Sequence, residues 1–214
     1  MTETAARPYR SELRARQARE TRERIVTASA RLFADKGYQA TTIAAIAREA
    51  GVSAETVKTT ASKAELLIAA FEVTFAGAES AESLTDTDVA RGVFELPDEA
   101  FLDAVLRQIT AANARGHALW TVLLGAALSD ALVDEALQRI LERRRADYRM
   151  LVAELQRRGI ADPADAEAVA AALSFLLSPE SHQQLVAQSS WPEEQYLSWL
   201  RAAVLTQLSP PPGP

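Results

Sequence analysis

The 214-residue sequence contains no cysteine, which excludes disulfide staples, thiolate metal ligands and cysteine nucleophiles. Histidine is nearly as scarce: His117 and His182 are the two, and they do not sit at metal-ligand spacing. No apolar run approaches the roughly 20 residues needed to span a bilayer. The polar, Arg-rich N-terminus lacks the apolar stretch of a secretory signal, so a cytoplasmic protein with no membrane partner is expected. There is no phosphate-cradling glycine loop and no Gly-x-Ser-x-Gly elbow. No catalytic residue, metal ligand or cofactor is therefore assigned, and an enzyme is not expected.

What is present is ordinary for a soluble globular chain: 48% hydrophobic and 24% charged residues. The net charge of −6 hides an asymmetry. Residues 1–76 carry twelve Lys and Arg against nine Asp and Glu, a surplus of three, so the remainder holds a deficit of nine. A basic head on an acidic body suits a polyanion gripped at one end.

The periodicity is helical almost throughout, and no stretch alternates in the manner of a strand, so the predicted class is all-α. A first helix is predicted over 19–36, with Ile25, Ala28, Leu32 and Phe33 on its apolar face and Gly37 as its stop. Thr41 or Thr42 caps a second, ended by Gly51; Ser53 caps a third and Ser62 a fourth. The acidic stretch 77–97 reads as a connection. Helices are then predicted from Asp98 to about Ala114, from beyond Gly116 to near Ser129, and from Asp130 to Arg158. Two more follow, over 163–188 with a break at Pro179 and over 192–208. The predicted organisation is a flexible basic arm (1–18), a helix-turn-helix domain with a linking helix (19–76), a helical body (77–208) and a disordered tail (209–214).

The stretch "RIVTASARLFADKGYQATTIAAIAREAGVSAETV", followed by "SKAELL", closely resembles the N-terminal domain of the tetracycline-repressor (TetR) family of transcriptional regulators. "ERRRADYRMLVAEL" and "LLSPESHQQLVAQSSWPEEQYLSWL" also resemble the C-terminal half of one subgroup of that family. The resemblance implies a three-helix DNA-binding domain followed by a helical ligand-binding and dimerisation domain. It further implies a double-stranded, palindromic DNA operator, a small-molecule effector and a homodimer formed through the last two helices. Thr42 would face a phosphate, Ala54, Glu55 and Thr56 the base edges, and Lys63 another phosphate. Ser53 caps the reading helix, and Arg22 belongs to the arginines that add backbone contacts.

One departure stands out. Members of the family read "GVS–x–x–T–(Leu/Val)–Tyr–x–x–Phe–x–S–K" where this sequence reads "GVSAETVKTTASK", one position shorter. The simplest alignment deletes the tyrosine and places Thr60 where phenylalanine belongs. Trading a buried Phe for Thr removes about 2–4 kcal/mol of packing. Losing one helical residue turns everything after it by about 100°. A short reading helix ending near Lys58 or Thr59 is expected, with Lys58 as a substitute phosphate contact. The alternative is a helical dimer whose head is impaired and which acts as an interaction or ligand-sensing module.

In the body, the resemblance implies an effector pocket enclosed by the helices from Phe101 to Tyr148. Its expected lining is Phe101, Val105, Asn113, His117, Trp120, Leu124 and Tyr148, closed on one side by Phe175. His182 is expected at a helix end or the dimer surface, and "ERRRADYR" as a solvated face apart from Tyr148. Ala168, Ala171, Ala172, Phe175 and Leu176, with the stripe Leu197, Leu200, Val204 and Leu208, are expected to meet a second copy in a four-helix bundle.

Overall fold

The computed structural model describes residues 6–77 and 92–209, with side chains from residue 12 onward. The predicted connection falls mostly outside the described residues, as do residues 1–5 and 210–214. Every element among the described residues is helical: α1 (Ala6–Ala40), α2 (Ile43–Ala50), α3 (Ala54–Thr60), α4 (Lys63–Ala76), α5 (Asp98–Ala127), α6 (Ala131–Arg157), α7 (Ala166–Leu176), α8 (Pro179–His182, continued by a π-helical turn Gln183–Gln188) and α9 (Glu193–Leu208).

The helix ends follow their local chemistry. Gly37 breaks α1 at φ 75°, a conformation that an L side chain resists. Thr41, buried at that break, donates from its hydroxyl to the carbonyls of Leu32 (3.1 Å) and Gly37 (2.8 Å). Thr42 rather than Thr41 caps α2, accepting from the Ala45 N–H. Ser62 begins α4 with a reciprocal capping box, its side chain bonded to the Glu65 N–H and the Glu65 carboxylate bonded back to the Ser62 N–H. Asp130 caps α6 at two N–H groups, Leu132 and Val133.

Three expectations are corrected. The segment 6–18, read as a flexible arm, is helical backbone continuous with α1; its Ala, Arg, Gln and Glu residues are good helix formers. The two helices expected either side of Gly116 are one, α5. Gly116 does not break it: a Cβ there would lie 2.9 Å from the Phe75 ring, so the glycine lets α4 approach α5 closely. The penultimate segment starts at the Asp165 cap rather than at Pro163.

Two apolar cores result. The first joins Ile25, Phe33, Ile46, Val57, Leu67 and Phe71 of the head to Leu119, Trp120, Leu123 and Val133 of the body, so it runs across the expected boundary at 76/77. The second fills the far end of the body with Phe101, Leu106, Val152, Leu155, Leu173, Tyr196 and Leu200. There Arg158, whose side chain is 6% exposed, acts as a rivet. It donates to the carbonyls of Phe94 (2.6 Å) and Leu96 (2.8 Å) and pairs with Glu154 (2.6 Å) and Asp98 (2.9 Å). Its guanidinium also lies 4.1 Å from the Phe101 ring centroid. Hydrogen bonds from Arg157 and Arg158 hold the Glu154 carboxyl at about 2.

Removing the rivet strands two carbonyls and uncovers Phe101, while Glu154 keeps its pairing with Arg157. Arg158→Ala is expected to destabilise the fold by roughly 2–4 kcal/mol, below a fully enclosed pair because Asp98 reaches solvent. A urea titration followed by circular dichroism reads this directly, and a midpoint equal to wild type would refute it.

Candidate functional site

The head presents a short helix on a firm base. Gly51 takes the left-handed turn (φ 66°) and returns its N–H to the carbonyls of Ala47 and Arg48, which sets α3 across α2. Ser53 accepts from the Thr56 N–H, and Val57, fully buried, anchors α3 in the first core. Ser53, Ala54, Glu55, Lys58 and Thr59 are exposed along its outer side, with Thr56 half-buried beside them. Thr42 is exposed at the start of α2.

The segment after Ser53 forms one short helix. The helix extends to Thr60, one or two residues further than expected. The Thr60 hydroxyl donates to the Thr56 carbonyl at 2.7 Å, and Thr59 does likewise to Glu55 and Thr56. Ala61 then turns extended (φ −168°) and packs into the core with Val57 and Ala64. Thr60 itself stays half-buried. Arg22, read as a backbone contact, turns inward and donates to the Thr60 carbonyl at 3.4 Å, tying α1 to the end of α3.

Lys63 is half-buried rather than free on the surface. Its ammonium lies 4.4 Å from the Tyr38 ring centroid and donates to the Gln39 carbonyl at 3.5 Å. Burial lowers its pKa, opposed by the charge of Asp130. The Tyr38 hydroxyl donates to Asp130 at 2.6 Å, and Gln39 reaches Ser129 at 3.2 Å. Head and body thus meet at a polar joint that sequence periodicity did not reveal, since Tyr38 and Asp130 lie 92 residues apart.

The eight residues expected to line a pocket separate into groups. Asn113, His117, Trp120 and Tyr148 converge on one polar cluster. Phe101 and Val105 instead belong to the second core, and Leu124 packs against the first. Phe175 is 72% exposed and closes nothing, because α7 turns that side outward. A surface groove of mixed charge runs along α1 and α2, past Arg24, Arg31 and Glu49, and involves none of the eight.

The cluster lies where the chain breaks between α7 and α8. The Leu177 carbonyl accepts from Asn113 (3.0 Å) and Tyr148 (3.2 Å), and Arg144 donates to Ser174. Arg144 was read as part of a solvated face, yet its side chain is only 18% exposed, because it serves carbonyls that the broken helix leaves open. His182, also expected nearer the surface, is 4% exposed, with its ring 5.7 Å from that of His117 and edge-on to Tyr196. Burial, then the neighbouring His117, lowers the pKa of His182. Burial pushes the Tyr148 phenol up, so it remains a neutral donor. Sequence offered no signal for Arg144, His182 or Tyr196, because only the helix break brings them together.

Beyond these bonds, buried atoms of Thr110 (Oγ1), Asn113 (Oδ1), His117 (Nδ1), Trp120 (Nε1), His182 (Nδ1) and Tyr196 (Oη) have no hydrogen-bond partner among the described residues. A buried polar group left unpaired costs about 1–3 kcal/mol. Such a concentration calls for further hydrogen-bonding partners, water or a ligand, at this cluster.

Residues 25–70 match the family model described as bacterial regulatory proteins, tetR family. No curated protein matches the chain. Three solved structures share the fold. A protein assigned as a transcriptional regulator from Pseudomonas aeruginosa PAO1 has a TM-score of 0.64 at 20% identity, covering 86% of this chain and 88% of that one. The fatty acid degradation regulator FadR from Bacillus halodurans has a TM-score of 0.65 at 16% identity, covering 87% and 94%. A gamma-butyrolactone receptor, an ArpA-like protein, has a TM-score of 0.56 at 19% identity, covering 89% and 99%.

The joint yields a pH-dependent expectation. The Tyr38 hydroxyl, more than any other group, holds the Asp130 carboxyl below its usual value. A depressed carboxyl contributes stability that is complete above the unfolded value of about 3.9 and is lost as pH falls through the folded one. Tyr38→Phe should therefore be less stable than wild type near neutrality, with the gap narrowing below about pH 4. Chemical denaturation at stepped pH measures the gap; one that is constant with pH would count against the joint.

Proposed function

We propose that this chain, whose N-terminal domain belongs to the TetR family, is a dimeric DNA-binding repressor released by a small-molecule effector. The observation that carries the reading is the outer side of α3: Ser53, Ala54, Glu55, Lys58 and Thr59 are exposed together while Val57 holds the helix down. A helix seated this way can enter a major groove with its N-terminal residues against base edges. Glu55 offers an acceptor to a cytosine amino group, Lys58 and Thr42 serve phosphates, and Lys63 joins them when it swings off Tyr38. The impaired-head alternative is disfavoured, because α3 keeps its cap, its anchor and seven helical residues despite the missing position.

A single short helix reads few base pairs, so the operator is taken to be palindromic and the regulator a homodimer. The surface assigned to the second copy differs from the stripe read in the sequence. Leu200, Val204 and Leu208 are at most 2% exposed and serve the protomer's own core. The face that remains combines Ala168, Ala171 and Phe175 of α7 with Ser198, Trp199 and Ala202 of α9. Small residues beside two large aromatics suit close helix packing around a two-fold axis. The effector site is assigned to the polar cluster between α5, α6 and α8. Among the described residues no helix is long and apolar enough to cross a membrane. A cytoplasmic location is part of this reading, because that is where an operator lies.

Two measurements test this. Binding to the promoter region flanking its own gene should weaken with salt, and Lys58→Ala should reduce the log–log salt slope by about 1. Weak, sequence-blind binding would favour the impaired head. Phe175→Glu should convert the dimer to a monomer in sedimentation experiments and abolish operator binding with it; a wild-type protein that is itself monomeric would overturn the dimer.

A further inference from the structure

Four of the six unpartnered residues lie on one helix. Thr110, Asn113, His117 and Trp120 follow each other at spacings of three, four and three, which places them in one stripe along α5. His182 faces this stripe from α8, its ring 5.7 Å from that of His117. Their hydrogen-bonding characters are unequal. The Trp120 indole N–H can only donate and the Asn113 Oδ1 can only accept, whereas the Thr110 hydroxyl and the imidazole nitrogens serve either way. The end of the stripe with the obligate donor is also the end with the charge: the Arg144 guanidinium lies 5.9 Å from the Trp120 ring centroid. Its acidic neighbour, Glu180, is 3.9 Å away and 47% exposed, so the cation is incompletely neutralised on its buried side. Asn113 and Trp120 are seven residues apart, about 10 Å along the helix axis.

We infer that this stripe binds a small aromatic acid, its carboxylate at the Trp120 and Arg144 end and a ring hydroxyl or amino group donating to Asn113 Oδ1. The inference rests on the effector reading of the cluster and adds the chemical class of the ligand. A carboxylate takes the indole N–H and faces the cation, while the donor at the far end satisfies the one atom that can only accept. The ring between them lies among the rings of His117, His182 and Trp120, with Thr110 beside the Asn113 end. A neutral molecule of the same length brings no negative charge to the Arg144 end.

The test uses the full-length protein, 4-hydroxybenzoate as the probe and 4-hydroxybenzamide as its neutral isostere, with affinity read by titration calorimetry. The acid is expected to bind saturably, and the amide about tenfold or more weaker, the equivalent of one lost charge-assisted hydrogen bond. Trp120→Phe, which keeps a ring and deletes the donor, should weaken the acid by about tenfold. Thr110→Val supplies a second variant at the other end of the stripe, where a loss of binding is also expected, should Trp120→Phe fail to fold. Equal affinity for acid and amide overturns the anionic class. Acid binding untouched by either folded variant overturns the site, and no saturable binding of either probe overturns the proposal outright. Operator binding by ligand-free protein, measured on the same preparation, reports on the repressor reading alone.

Discussion

Helix α4 has almost no side that belongs to water. Ala64, Leu66, Leu67, Ala69, Ala70 and Phe71 are all buried, and α1 packs on one flank while α5 and α6 take the others. Burying such a helix requires both the head and the body, which is why a single apolar core crosses between them. Phe71 meets Trp120 at 5.5 Å and stacks on Phe75, which in turn needs Gly116 to approach α5. The reading helix sits on this shared core through Val57 and Ala61. Its orientation is therefore a property of the whole molecule.

That continuity gives a physical route between the two proposed sites. Trp120 contributes its ring to the shared core and its indole N–H to the polar cluster. A ligand that shifts Trp120 pushes on Phe71 of α4, and α4 begins at Lys63 beside the Tyr38–Asp130 joint. Close-packed interiors transmit such displacements because they have few voids to absorb them. The pairing of Lys63 with Tyr38 and Gln39 also competes with any phosphate for the same ammonium group.

Much of the fold was legible because it rests on local chemistry. Gly37, Gly51, Ser53, Ser62, Asp130 and Gly159 punctuate the chain where the helices begin and end, since caps and left-handed turns depend on neighbours a few residues away. Gly116 misled for the complementary reason: its use is a contact with Phe75, 41 residues earlier, and a helix tolerates glycine when packing demands it. The stripe Leu200, Val204 and Leu208 is apolar whether it meets its own core or another copy, so periodicity identified a buried face without identifying what buries it. In the candidate pocket, Asn113, His117, Trp120 and Tyr148 fell together, whereas Phe175 faced outward and Arg144 and His182 were drawn in by carbonyls and rings from distant segments.

By itself, then, the sequence determined the helical class, the positions of most helix ends and the helix-turn-helix with its cap, turn and anchor. Each is decided within one or two turns of chain by backbone sterics and nearby hydrogen bonds. The tertiary structure alone decided which faces are spent on the protomer, how α3 gives way to extended backbone at Ala61, and that six unpaired polar atoms gather in one buried region. Those outcomes depend on side chains 60 to 90 residues apart meeting, as Asn113 meets Leu177 and Tyr38 meets Asp130. No local pattern encodes a distance across the fold.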